Sequence, residues 1–81
     1  MRYFLSTTTQ SIKEEGGYQE YGKMETKGVG EDAKTNAIAE LHTTYATMLK
    51  TSNIQYWSGK VLDMEQNTID KCVVGTYVDE V

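Results

Sequence analysis

Proline is absent from this 81-residue chain, and cysteine and histidine occur once each, at Cys72 and His42. A single cysteine excludes an intrachain disulfide, and one histidine beside it excludes the clustered Cys/His spacings of a zinc site. The lone thiol suits a reducing compartment. Long apolar runs are missing as well. Nothing approaches the ~20 consecutive apolar residues of a membrane span. Tyr3-Phe4-Leu5 gives way to Ser and Thr rather than continuing into the apolar core of a signal peptide. A cytoplasmic protein without membrane contact is therefore expected. Basic residues are few, eight Lys and Arg against twelve Asp and Glu, for a net charge of −4. That balance argues against the cationic groove that DNA or RNA requires, but leaves room for one small basic pocket.

No internal repeat or low-complexity linker divides the chain, so residues 1–81 are expected to form a single domain. A domain this small leaves much of its surface exposed and has a thin stability margin. With metal and disulfide excluded, subunit association is the remaining supplement.

The most regular stretch is 31–52, where Ile38, Leu41, Tyr45, Met48 and Leu49 recur at spacings of three and four. On a helix they share one face, which Ala37 widens. Asp32 suits the N-cap and Glu31 the positive end of the helix dipole. Thr51, Ser52 and Asn53 end the segment by competing for backbone hydrogen bonds.

Around this helix lie four segments rich in β-formers. Residues 2–12 place Tyr3, Leu5, Thr7 and Thr9 on one face and Phe4, Ser6 and Thr8 on the other. Gly16-Gly17 turns the chain into a returning strand over 18–27, which ends at Gly28-Val29-Gly30. A third strand covers 54–64, where Gly59 suggests a bulge. The turn Glu65-Gln66-Asn67 leads into a fourth strand over 69–78, and the last residues, 79–81, are expected to fray. The order β-β-α-β-β predicts an α+β fold: a four-stranded antiparallel sheet in the order 2-1-3-4, with one long helix packed on one face. The fourth strand is apolar on both parities, with Ile69, Val73 and Tyr77 against Cys72, Val74 and Val78. One helix covers one face. The expectation that follows is a homo-oligomer, in which a second subunit covers the other face or pairs with an edge strand.

Motifs that carry chemistry are sparse. Gly28-Val29-Gly30 before a helix start offers backbone N–H groups to an anion, with Lys27, Lys34 or Lys60 as neighbours, yet it lacks the remaining residues of a dinucleotide fingerprint or a P-loop. A flexible turn is the simpler reading. His42 lies at the margin of the apolar stripe, and no nucleophile or carboxylate is placed with it by helical spacing. Cys72 sits among valines, where a thiol acts as a small apolar residue. Asp63, Glu65, Asn67 and Asp70 lack calcium-loop spacing and read as a solvated turn. No metal ligand set and no cofactor motif is recognised. Aromatics are the richer signal: Tyr3, Tyr18, Tyr21, Tyr56, Trp57 and Tyr77 all fall on predicted strands. Those not under the helix would form a Tyr/Thr platform for a protein partner or a planar ligand, with Tyr56 and Trp57 as anchors and Tyr21 and Lys60 beside them.

Three stretches give the chain a wider likeness: the opening Arg2-Tyr3-Phe4-Leu5-Ser6-Thr7-Thr8-Thr9, the helical Ala39-Glu40-Leu41-His42-Thr43-Thr44-Tyr45, and the closing hairpin from Val61-Leu62-Asp63 through Gln66-Asn67 to Ile69. In layout and texture it resembles short accessory proteins encoded by phages and prophages of Gram-positive bacteria. The resemblance implies a small protein that binds and blocks a host protein, or sequesters a defence signal such as a cyclic nucleotide, usually as an oligomer. No site residue carries over from it. The function expected is a non-enzymatic binding protein that self-associates. The alternative is an oligomeric sponge for a small nucleotide-like ligand, and the third reading is a small enzyme with His42 as general base.

Overall fold

A computed structural model describes residues 1–79. Strand β1 (Arg2–Ile12) pairs antiparallel with β2 (Tyr18–Val29), the helix α1 (Glu31–Leu49) crosses one face, and β3 (Ile54–Leu62) and β4 (Thr68–Gly75) complete the sheet. The order is β2-β1-β3-β4, antiparallel throughout, as the sequence predicts. Strands β1 and β3 are central, so the polar run Ser6–Thr9 lies in the middle of the sheet.

The core lies between α1 and one sheet face. Tyr3 and Leu5 of β1, Trp57 and Val61 of β3, and Ala37 and Leu41 of α1 are buried, with Ala33, Ile38, Tyr45, Met48, Ile54, Cys72 and Val74 packed around them. Alternation on β1 sends Tyr3, Leu5, Thr7 and Thr9 toward the helix, as expected. Ile54 joins the core although it shares parity with Tyr56, because the β1–β3 register shifts between Gln10 and Ser11 and skips Gln55.

Gly59 does not mark a bulge. Its pairing with Thr7 on one side and Cys72 on the other is regular. A Cβ built there would come within 2.7 Å of both Leu41 Cδ1 and the Trp57 ring. The glycine is therefore a packing slot: with no side chain at that position, the indole lies flat along the strand and Leu41 seats on the sheet.

The helix departs from expectation at both ends. Its N-cap is Gly30, at φ 92°, and no side chain caps the first turn, so Asp32 is not the cap. Glu31 and Asp32 both occupy the first turn, where the dipole favours negative charge. At the other end the amides of Lys50 and Thr51 donate to Thr47 and Met48, a tightened last turn that stops the helix before residue 52. Leu49, in the last helical turn, falls outside the buried stripe and is 58% exposed.

The β3–β4 hairpin is held by Asp63. Its Oδ1 accepts the amides of Glu65 and Asn67, each at 2.9 Å, and Gln66 takes φ 65° to close the turn. These donors, the Asn67 amide first, hold the Asp63 carboxyl below its ordinary pKa. Strand β4 ends at Gly75, earlier than residue 78, because Gly75 turns the chain at φ 75°. Residues 80 and 81, expected to fray, lie outside the described residues.

Two outcomes follow from this packing. Gly59→Ala should destabilise the fold by about 1–3 kcal/mol, since both neighbours of the new methyl are core side chains; chemical denaturation checks it, and an unchanged midpoint would mean that the slot has slack. The Asp63 pKa is lower folded than unfolded, so its contribution is complete above the unfolded value of about 3.9 and is lost as pH falls through the lower folded value. Urea midpoints measured from pH 6 to pH 2 should show that acid limb diminished in Asp63→Asn.

Candidate functional site

The face of the sheet away from α1 differs from the expectation of a second apolar surface. Following the register across its middle, Met24, Ser6, Lys60 and Lys71 form one row, and Gly22, Thr8, Ser58 and Val73 the next. Apolar side chains are concentrated to one side, where Phe4 pairs with Leu62 and Ile69 and Val73 follow on β4.

The far end of this face is covered by the chain itself. After Gly75 the segment 76–79 leaves the β4 edge and crosses over β3 toward β1. Gln55 and Thr76 start the crossing: Thr76 N–H donates to the Gln55 carbonyl, and Gln55 Nε2 donates to the Thr76 carbonyl. Gln10 ends it. This side chain is fully buried; its Oε1 accepts the Val78 amide at 2.9 Å, and its Nε2 donates to the Val78 carbonyl at 2.7 Å and to Glu20 at 2.9 Å. One amide side chain thus takes the part of a neighbouring strand. Tyr77 is held between: its hydroxyl donates to Glu20 at 2.9 Å, and its ring meets Tyr56 edge-on at 5.1 Å. The Glu20 carboxylate beside it, with some burial, pushes the Tyr77 phenol above its usual pKa and keeps it a donor.

Strap and sheet together form a pocket of about 320 Å³. Ser6, Thr8 and Ser58 supply hydroxyls, Lys60 and Lys71 the charge, and Tyr56, Tyr77 and Glu20 stand along the strap side. Lys60 and Lys71 are direct cross-strand partners. Like charges so placed repel, and among the described residues neither lysine has an acidic partner within ion-pair distance. In a chain with net charge −4, the acidic side chain at this pocket, Glu20, is occupied by Tyr77 and Gln10.

No family model, curated protein or solved structure matches the chain. The site is defined by its own chemistry.

The structure brings some of the expected site residues together and separates others. Tyr56 and Lys60 share the pocket. Trp57 is 1% exposed beneath the helix, so it cannot anchor a ligand platform. Tyr21 is exposed, but on the helix side of β2, lining a small cleft with Lys23, Glu40 and Met48. Gly28 and Gly30 form the β2–α1 turn, where Gly30 N–H donates to the Met1 carbonyl and Ala33 Cβ lies 3.2 Å from where a Gly28 side chain would begin. Lys60 is three pairs along the sheet from Gly28, on the other face. Lys27 is already committed to Glu40 at 2.8 Å, and that bond raises its pKa. Of the three lysines expected near this turn, Lys27 is taken by Glu40 and Lys60 lies on the other face, which leaves Lys34 in the first turns of α1 as the remaining cation for an anion there.

Sequence reasoning passed over Lys71, Ser58 and Gln10, and named Tyr77 only among the strand aromatics of the expected platform. No sequence signal brings the Tyr77 segment onto Gln10, because their meeting depends on the turn at Gly75. Lys71 stands opposite Lys60 only once β3 and β4 are registered. A further group, His42 with Asp70 and Cys72, lies on the helix side. Among the described residues no cluster of three or more His, Cys, Asp or Glu is arranged to hold a metal ion, and no helix is long and apolar enough to cross a membrane.

Proposed function

We propose that this protein is a binding protein that captures a small phosphate-bearing, nucleotide-like ligand on its open sheet face. The observation that carries the reading is the cross-strand Lys60–Lys71 pair, with no acidic partner among the described residues and surrounded by hydroxyls. Two adjacent ammonium groups disfavour the empty protein and favour any anion that binds both. Ser6, Thr8 and Ser58 add neutral donors for phosphate oxygens, and Tyr56 and Tyr77 offer rings beside them for a planar group. A pocket of about 320 Å³ suits a small ligand better than a protein surface. A sequestering role of this kind agrees with the resemblance to phage accessory proteins.

A second feature favours self-association as the working form. Strand β2 is a 12-residue edge whose outer side pairs with nothing among the described residues, and it exposes Tyr21, Met24 and Val29, the last at 65%. The Cα radius of gyration, 13.6 Å, exceeds the ~12 Å of a compact domain of this length. A second copy laid along β2 would cover that edge.

The ligand reading is tested by thermal shift and calorimetry with inorganic phosphate, nucleoside phosphates and cyclic dinucleotides. A ligand at a hundred times its Kd should stabilise the protein by about 2.7 kcal/mol. The Lys60→Ala/Lys71→Ala protein should lose that response while melting at a higher temperature when empty, since its like-charge repulsion is gone. A flat response across the panel overturns the reading. For assembly, light scattering at micromolar concentration should give a mass above 9.1 kDa that Met24→Lys reduces to the monomer; a wild-type monomer would remove the proposal.

A further inference from the structure

On the opposite side of the sheet, the helix-facing surface of β4 holds a second cluster. Asp70 and Cys72 are two residues apart on one strand, so their side chains leave the same face. His42 stands over both from α1. Its Nε2 lies 2.7 Å from Asp70 Oδ2, and its Nδ1 lies 3.7 Å from Cys72 Sγ. The hydrogen bond from Nε2–H to the carboxylate selects the tautomer whose Nδ1 presents a lone pair to the thiol. Asp70 is itself oriented by the Lys71 amide at 2.8 Å. Thiol, imidazole and carboxylate are thus in line, with the base between the nucleophile and the group that orients it.

The environment sets the resting state of the thiol. Burial first, and then the Asp70 charge, push the Cys72 pKa up, so at neutral pH the proton stays on sulfur. Activation must then come from proton transfer during attack rather than from a standing thiolate. The His42 bond, followed by the Lys71 amide, holds the Asp70 carboxyl below its usual range, so it remains an acceptor. The other titratable and charged groups facing this cluster are on α1: Tyr45 one turn along, and Lys50, which with Thr43, Ala46, Thr47, Thr51 and His42 lines an open groove of about 640 Å³. Lys71 points to the other face of the sheet. His42 and Asp70 keep 54% and 34% of their side chains exposed, so a small substrate reaches the imidazole from this groove.

We infer that Cys72 is a nucleophile for activated acyl esters, with His42 as its general base and Asp70 as a positioning residue. In the first step Sγ bonds to the acyl carbon, its proton passes to His42 Nδ1, and the carbon–oxygen bond to the leaving group breaks. The leaving alkoxide takes that proton. A water molecule, deprotonated by the same nitrogen, then attacks the thioester, releasing the acid and returning the proton to sulfur. Oxygen, carbon and proton balance as ester plus water gives acid plus alcohol.

The test uses the full chain with two probes. With p-nitrophenyl acetate, wild type should release a burst of p-nitrophenolate equal to the Cys72 concentration; Cys72→Ser should release none, and His42→Gln should slow the burst by about a hundredfold. With iodoacetamide from pH 5 to pH 10, the wild-type alkylation rate should rise in two steps, the first dependent on His42 as base and the second on the free thiolate. His42→Gln should keep the second rise alone, and Asp70→Asn should keep both but lower the first by about tenfold. Circular dichroism verifies that each variant is folded; if His42→Gln is not, the Asp70→Asn profile decides. A single rise in the thiol range that neither variant alters, or the absence of a burst, overturns the inference.

Discussion

Leu41 resting in the gap at Gly59 is the contact on which the rest of the molecule depends. An indole and a leucine cannot both occupy the middle of a sheet beside a third side chain, and the glycine removes that third side chain. Once Leu41 is seated there, the rotation of the helix is determined. Ala37, one turn earlier, faces the sheet closely, and Leu49 turns to solvent. His42 follows Leu41 directly, and Gly59 pairs with Cys72, so the same contact brings the imidazole over β4. Core packing and the placement of the thiol, imidazole and carboxylate are one event.

The other face follows a different logic. It has no helix, and the chain deals with it by chemistry and by its own C-terminal segment. In the central strands, Ser6, Thr8 and Ser58 make that side tolerable in water, which an all-aliphatic β1 or β3 would not be. Gln10 then acts as a clasp. It is fully buried, yet every polar atom of its side chain is bonded, because the Val78 backbone and Glu20 meet it. The clasp gives the lysine pocket a wall. Without Tyr77 held against Tyr56 the same residues would form a flat strip.

Much of this architecture was legible in the residues. The period of the helix, the alternation of β1, the two-glycine turn and the strand order all follow from local rules plus short connections, and the structure agrees with them. The disagreements share a cause. Asp32 reads as a cap from its side chain, but Gly30 adopts a backbone conformation that places the cap earlier. Gly59 reads as a bulge because a glycine in a strand is commonly one; the reason for it is a side chain from another element. Trp57 reads as an exposed anchor because parity alone does not tell which face receives the helix.

The sites divide in the same way. Residue chemistry alone marks Tyr56 and Lys60 as candidates and shows that the chain has one thiol and one imidazole. It cannot place Lys71 with Lys60, Tyr77 with Glu20, or Asp70 and Cys72 with His42. Those pairs are separated by about ten to sixty residues, and a local pattern carries no information about contacts at that distance. What the sequence by itself determined is which segments become helix and strand and the order in which they must join, since periodicity and turn chemistry act within a few residues. What only the tertiary structure decided is which faces meet, because that choice depends on how one bulky pair, Leu41 and Trp57, fits over one missing side chain.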